Sequence, residues 1–137
     1  MMADFTVALP GVPPSMWQCY RIRPGGKGLY ITTEGRTWKR DAIFAILKDP
    51  LPKPLRGRIS VDVSFFVHGR GNWDIDNKFK MLFDAMTEAG VWTDDSHIDA
   101  LTSQVILVPK KEETLTLVVV REIEEAALTA GGVARGG

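Results

Sequence analysis

Ile59-Ser60-Val61-Asp62-Val63-Ser64-Phe65-Phe66-Val67 alternates apolar and polar side chains with a period of two over most of its length. In an extended chain, successive side chains point to opposite faces. Ile59, Val61, Val63, Phe65 and Val67 therefore share one face, and Ser60, Asp62 and Ser64 share the other. This predicts a strand with one buried face, entered from the Pro-rich connector 51–58. After it come the polar residues His68-Gly69-Arg70-Gly71-Asn72-Trp73, and then a helix predicted over 76–89. Phe79, Leu82, Phe83 and Met86 recur on one helical stripe, and Gly90 stands where a left-handed C′ residue belongs. A half-buried strand feeding an amphipathic helix points to an α+β fold.

Working outward, 5–9 reads as a short strand stopped by Pro10, Pro13 and Pro14. Segments 20–23 and 29–32 flank Pro24-Gly25-Gly26-Lys27-Gly28, which predicts a hairpin tip and lacks the form of a nucleotide-binding loop. A helix is expected over 33–48, with Trp38, Ala42, Ile43, Ile46 and Leu47 on one stripe and Pro50 ending it. Segments 101–108 and 114–120 are expected to form a last hairpin, and 122–128 a short helix. The expected architecture is a small mixed or antiparallel sheet with two main helices in one domain over 1–122. The tail 123–137 is expected to be partly disordered.

The chain has 137 residues, 45% of them hydrophobic and 25% charged, which suits a single globular domain. No apolar run approaches the roughly 20 residues a membrane helix needs. The N-terminus lacks the basic and apolar regions of a secretion signal. Cys19 is the single cysteine, which excludes an internal disulfide and a Cys-rich zinc site, so a reducing cytoplasm is expected. The zero net charge conceals a gradient. Residues 1–60 carry ten Lys or Arg against four Asp or Glu, 61–110 four against eight, and 111–137 three against five. A basic front half beside an acidic middle suits a polyanion with cations held near it, although ordinary surface charge would look similar.

The chemistry concentrates in Asp74-Ile75-Asp76-Asn77-Lys78-Phe79-Lys80 and in Trp92-Thr93-Asp94-Asp95. In an extended segment Asp74 and Asp76 would project together, about 6.5–7 Å apart at Cα, with Ile75 turned to the core. Two such carboxylates can share one hard cation, and without one they repel and a pKa rises. Each acid also has a plainer reading: Asp76 as a helix N-cap, Asp74 as a solvated loop acid, Asp94-Asp95 as a turn cap. Lys80, one turn after Asp76, can reach toward the acids or a phosphate, or can pair with Asp84. His97 follows the second acid pair and His68 ends a strand; hydrogen-bonded structural roles suffice for both. Arg21, Arg23, Lys27, Arg36, Lys39 and Arg40, interleaved with Trp17, Tyr20 and Trp38, suggest a DNA-binding face, with Arg70 added from the 68–73 loop. The alternative places Trp38 in the core and leaves the cations solvated.

These residues resemble the RusA family of Holliday-junction resolvases. The resemblance rests on Asp74-Ile75-Asp76-Asn77, Lys80, Phe83-Asp84-Ala85, Ala89-Gly90, Trp92 and Asp94-Asp95, and more loosely on Leu9-Pro10, Pro13-Pro14-Ser15, Tyr20 and Thr33-Glu34-Gly35. It implies a small α+β homodimer that binds branched DNA and hydrolyses phosphodiesters with Mg²⁺, one or two ions per subunit. It further implies that Asp74, Asp76 and Asp95 are the metal-site aspartates and that Lys80 is the functional lysine. Met16-Trp17 departs from the family pattern, which usually has Asn there. Two rival readings are a nuclease of other branched or flap DNA, and a module that binds branched DNA without cutting it. Acids facing phosphates argue against a pure binder. Paired nicks at a two-fold junction need two sites, so a C₂ dimer is expected, with Trp38, Phe44 and the 115–120 strand offering apolar surface.

Overall fold

The computed structural model describes residues 4–69 and 74–123. The strand read from the alternation has the predicted bounds, and it sits third in a four-stranded sheet. In chain order the strands are β1 (Asp4–Pro10), β4 (Ile59–Val67), β5 (Ile98–Leu107) and β6 (Leu115–Glu122), arranged β1-β6-β4-β5. β6 runs antiparallel to both β1 and β4, whereas β5 runs parallel to β4. A separate hairpin pairs β2 (Tyr20–Ile22) with β3 (Leu29–Ile31). The helices are α1 (Met16–Cys19), α2 (Thr33–Leu47) and α3 (Phe79–Glu88). This is the expected α+β architecture with two main helices.

The expected hairpin between the last two strands does not form, because β4 lies between them. Parallel pairing needs a crossover, and α3 supplies it by carrying the chain from the end of β4 back to the start of β5. β6 then takes the other side of β4. Burial accounts for this order. Ile59, Val61, Val63 and Phe65 are at most 1% exposed, so β4 needs neighbours on both edges. β5 is exposed along most of its length, as suits an edge. Asp99 at its start pairs with Arg58, which extends β5 upstream of the apolar residues that signalled it.

One face of the sheet carries the core, where Phe5, Leu9, Val118 and Val120 join the β4 residues against Trp38, Ala42 and Ile46 of α2 and Leu82, Ala85 and Met86 of α3. Trp38 is core, and its indole N–H donates to the Pro10 carbonyl at 3.0 Å. Thr116, Val118 and Val120 of β6 are buried within the chain. Of the apolar groups expected to serve an interface, Phe44 is the one left exposed, at 68%. Leu47 also departs from its expected place on the buried stripe and is exposed.

Local sequence explains the helix ends. Thr32 caps α2 by accepting from the Gly35 N–H at 3.1 Å. At the end of α3, Gly90 takes φ +82°, its N–H donates to Thr87 O, and the Val91 N–H donates to Met86 O, a Schellman closure. The predicted helix over 76–89 is divided: Ile75–Lys78 form a 3-10 turn before α3 begins. The four-residue α1, absent from the expectations, is closed by a capping box between Ser15 and Gln18. No helix among the described residues is long and apolar enough to cross a membrane.

Candidate active site

Asp74 precedes the 3-10 turn in an extended conformation, and Asp76 stands in its first turn. Ile75 between them packs against the core, so the two carboxylates are both turned outward. They interact directly. A hydrogen bond with Asp76, then its negative charge, holds the Asp74 carboxyl above its ordinary pKa. Asn77 Nδ2 donates to Asp74 Oδ2 at 3.1 Å and orients it. Asp76 is therefore not the N-cap of α3. The two acids meet as the spacing suggested, through a tight turn rather than a fully extended strand.

Lys80 lies one turn along the exposed flank of α3. Its Nζ is 3.4 Å from Asp84 Oδ2 and 5.3 Å from the centroid of the Tyr20 ring. The Tyr20 hydroxyl donates to the same Asp84 oxygen at 2.6 Å. Burial, and next that hydrogen bond, keep the Tyr20 phenol protonated well above its ordinary range. Asp84 thus joins α3 to the β2 hairpin, and the lysine rests over the ring. The ion pair expected as the plainer role of Lys80 is present, and it leaves Nζ half-exposed.

The second acid pair follows α3. Leu55 of the connector donates to Val91 O at 2.9 Å and accepts from the Thr93 N–H at 3.3 Å, which fixes the chain entering Asp94. Asp94 caps a 3-10 turn by accepting from the Ser96 N–H at 2.9 Å, and that bond lowers its pKa. The capping role therefore falls to Asp94. Asp95 is exposed, in a pocket shared with Asp84, Thr87, Glu88, Thr93 and Lys39. His97 Nδ1 lies 3.3 Å from Thr93 Oγ1, and His68 Nδ1 3.3 Å from Val108 O.

The two acid pairs stand at opposite ends of α3, a helix of ten residues that spans about 15 Å. Among the described residues of one chain, no group of three His, Cys, Asp or Glu side chains is placed to hold a metal ion. Asp74 and Asp76 offer a facing pair of hard oxygen donors, the donor type Mg²⁺ takes.

The basic candidates fall into two groups. Arg21, Arg23 and Lys27 lie exposed on the β2–β3 hairpin, beside Trp17 at 68% exposure. Arg36, Lys39 and Arg40 lie on one side of α2, where Lys39 pairs with Glu88 of α3. Arg70 lies outside the described residues, as does the tail beyond 123; of the short helix expected over 122–128, Glu122 instead ends β6. Sequence reasoning missed Lys78, a buried lysine behind the Asp74 pair, whose pKa burial pulls down while Cys19, Asp74 and Glu34 oppose the shift. The 3-10 turn shifts the helical phase there, so no periodicity marks the position as inward.

The site thus presents two carboxylates on an exposed turn, a lysine along the same helix and an exposed basic surface. The family described as Endodeoxyribonuclease RusA matches residues 10–121, and the chain belongs to that family. It is 33% identical over 98 residues to the crossover junction endodeoxyribonuclease RusA of Shigella sonnei (strain Ss046), covering 71% of this chain and 78% of that protein. It is 32% identical over the same shares to the RusA of Escherichia coli (strain K12). The namesake of Enterobacteria phage 82 is 33% identical over 98 residues, again 71% of this chain and 78% of that protein.

Proposed function

We propose that this chain resolves four-way DNA junctions by paired phosphodiester hydrolysis, as a Mg²⁺-dependent homodimer acting in the cytoplasm. The observation that carries this reading is the contact between Asp74 and Asp76. Two exposed carboxylates turned onto each other, one with a raised pKa, are the state a divalent cation relieves. Asp74 and Asp76 would hold the ion, which when bound supplies an activated water and neutralises charge on the scissile phosphate. Lys80 adds a fixed positive charge beside the phosphate, held in place by Asp84 and the Tyr20 ring. Arg21, Arg23, Lys27, Arg36, Lys39 and Arg40 contact flanking phosphates and supply most of the affinity.

The separation of the acid pairs along α3 supports the dimer. With two α3 helices antiparallel about a two-fold axis, the pair at the start of one helix would meet Asp95 of the partner subunit. The family's third aspartate would then complete a site between the chains. The same axis sets two sites against the two strands cut in a four-way junction.

The test is cleavage of a synthetic four-way junction, a flap and a plain duplex in Mg²⁺. Asp74→Asn, Asp76→Asn and Asp95→Asn should each abolish junction cleavage while junction binding is kept or tightened, since a repelling charge is lost. Near wild-type cutting by any one variant removes that residue from the site. Preferential cutting of the flap would replace the resolvase reading with the flap nuclease.

A further inference from the structure

Beside the Asp94-Asp95 pocket, and sharing Lys39 and Glu88 with it, lies a larger groove of about 530 Å³ along α2. Its floor is apolar: Ile43, Phe44 and Leu47, with Phe44 68% exposed and Leu47 53% exposed. Its rim is basic, formed by Arg36, Arg40 and Lys48, and Glu88, the one acid among its described lining residues, is paired with Lys39. None of the cleavage chemistry uses this floor.

An exposed aromatic flanked along one helix by Arg36, Arg40 and Lys48 matches a nucleotide. Phosphates meet the rim, and the flat face of a base meets the ring at the centre. A fully paired duplex keeps its base faces stacked internally and could satisfy the rim alone. An unstacked base also rewards the floor. A second copy of the chain fits less well, because a two-fold contact here would bring two rims of like charge together.

We propose, building on the junction-resolving reading, that the Phe44 groove receives an unstacked nucleotide of the strand that passes Asp94-Asp95. The base lies against Phe44 and Leu47, and its phosphates lie on Arg36, Arg40 and Lys48. The groove is a recognition subsite beside Asp94-Asp95, at the end of α3 away from Asp74 and Asp76, and it favours the branch point because bases there unstack most readily.

The experiment measures binding of full-length wild type, Phe44→Ala and Phe44→Trp to a four-way junction, a single-stranded oligonucleotide and a duplex, in Ca²⁺. Sedimentation and melting of each variant accompany it. Phe44→Ala should lose about tenfold in affinity for the junction and the single strand, the effect of one base–aromatic stack. Duplex affinity should change by less than about twofold, and Phe44→Trp should restore junction binding. Equal affinities for wild type and Phe44→Ala on every DNA would overturn the proposal, as would equal losses on junction and duplex. Conversion of a wild-type dimer to a monomer by Phe44→Ala would also overturn it and assign the groove to a protein interface. If wild type binds the junction no better than duplex, the resolvase reading falls, and the single-strand comparison still decides the groove.

Discussion

Lys80 shows how a surface residue acquires a defined position. An exposed lysine paired with an acid four residues on is worth a few tenths of a kcal/mol, too little to hold it. Here the acid is itself anchored by Tyr20, and the ring lies beneath the ammonium. Lys80→Ala should therefore lower the cleavage rate by about 100-fold and shift the melting temperature by no more than about a degree. Asp84→Ala should cost far less activity; equal losses in the two variants would reduce Lys80 to an ion pair. Cys19 makes a second residue-scale case. It is buried under α2, where a Cβ on Gly35 would come within 2.9 Å of the Cys19 Cα. Burial, with Glu34 adding to it, pushes its thiol up from 9.0 to about 11. Because the folded-state pKa lies above the unfolded one, this contribution is complete below about pH 9 and is lost as pH rises toward 11. About 2 kcal/mol should go in that window. Chemical denaturation across it should show the fall in wild type, and a smaller one in Cys19→Ala.

At the scale of elements, α3 is the piece that sets the two acid pairs and Lys80 in place. Its inner side is tied to the sheet by an aromatic series: Phe65 to Phe79, Phe79 to Phe83 and Phe83 to Trp92, with centroids 5.4–5.9 Å apart. The Trp92 indole N–H donates to Thr87 Oγ1 at 2.6 Å, which fastens the segment leading to Asp94 back onto the helix. Both acid pairs therefore hang from one rigid rod. Leu82 is fully buried midway along it. Leu82→Ala should cost about 3 kcal/mol and roughly 10 °C in melting temperature. Activity measured well below the new melting point should fall less than in Lys80→Ala, since the defect lies in the support rather than in the reacting groups.

The whole molecule sets the question of where a complete site is. If Asp95 serves the partner's Asp74–Asp76 pair, a heterodimer of Asp76→Asn and Asp95→Asn subunits contains one doubly damaged site and one intact site. Each variant alone should be inactive, and an equilibrated mixture should nick one strand of the junction without the paired second cut. A mixture as inactive as its components would place all three aspartates in one subunit's site. The β2–β3 hairpin carries the exposed cations Arg21, Arg23 and Lys27, and α2 carries Arg36 and Arg40.

Much of this was legible in the chain because it depends on near neighbours. The β4 alternation needed only the period of a strand, the Gly90 closure only a residue tolerant of positive φ, and the Asp74–Asp76 contact only two short side chains around an inward Ile75. Three other features depended on segments distant in sequence. The place of β4 between β5 and β6 follows from which strand could least bear an open edge. The helical stripe already turned Trp38 toward the core, but the acceptor of its indole N–H, Pro10 O, comes from a segment distant in sequence. The separation of Asp95 from the first acid pair arises because α3 is a straight rod between parallel strands, and spacing along a chain carries no record of direction through space. Periodicity expresses local geometry and burial, which sequence alone determines; the joining of distant side chains into one site is settled by packing, which only the tertiary structure decides.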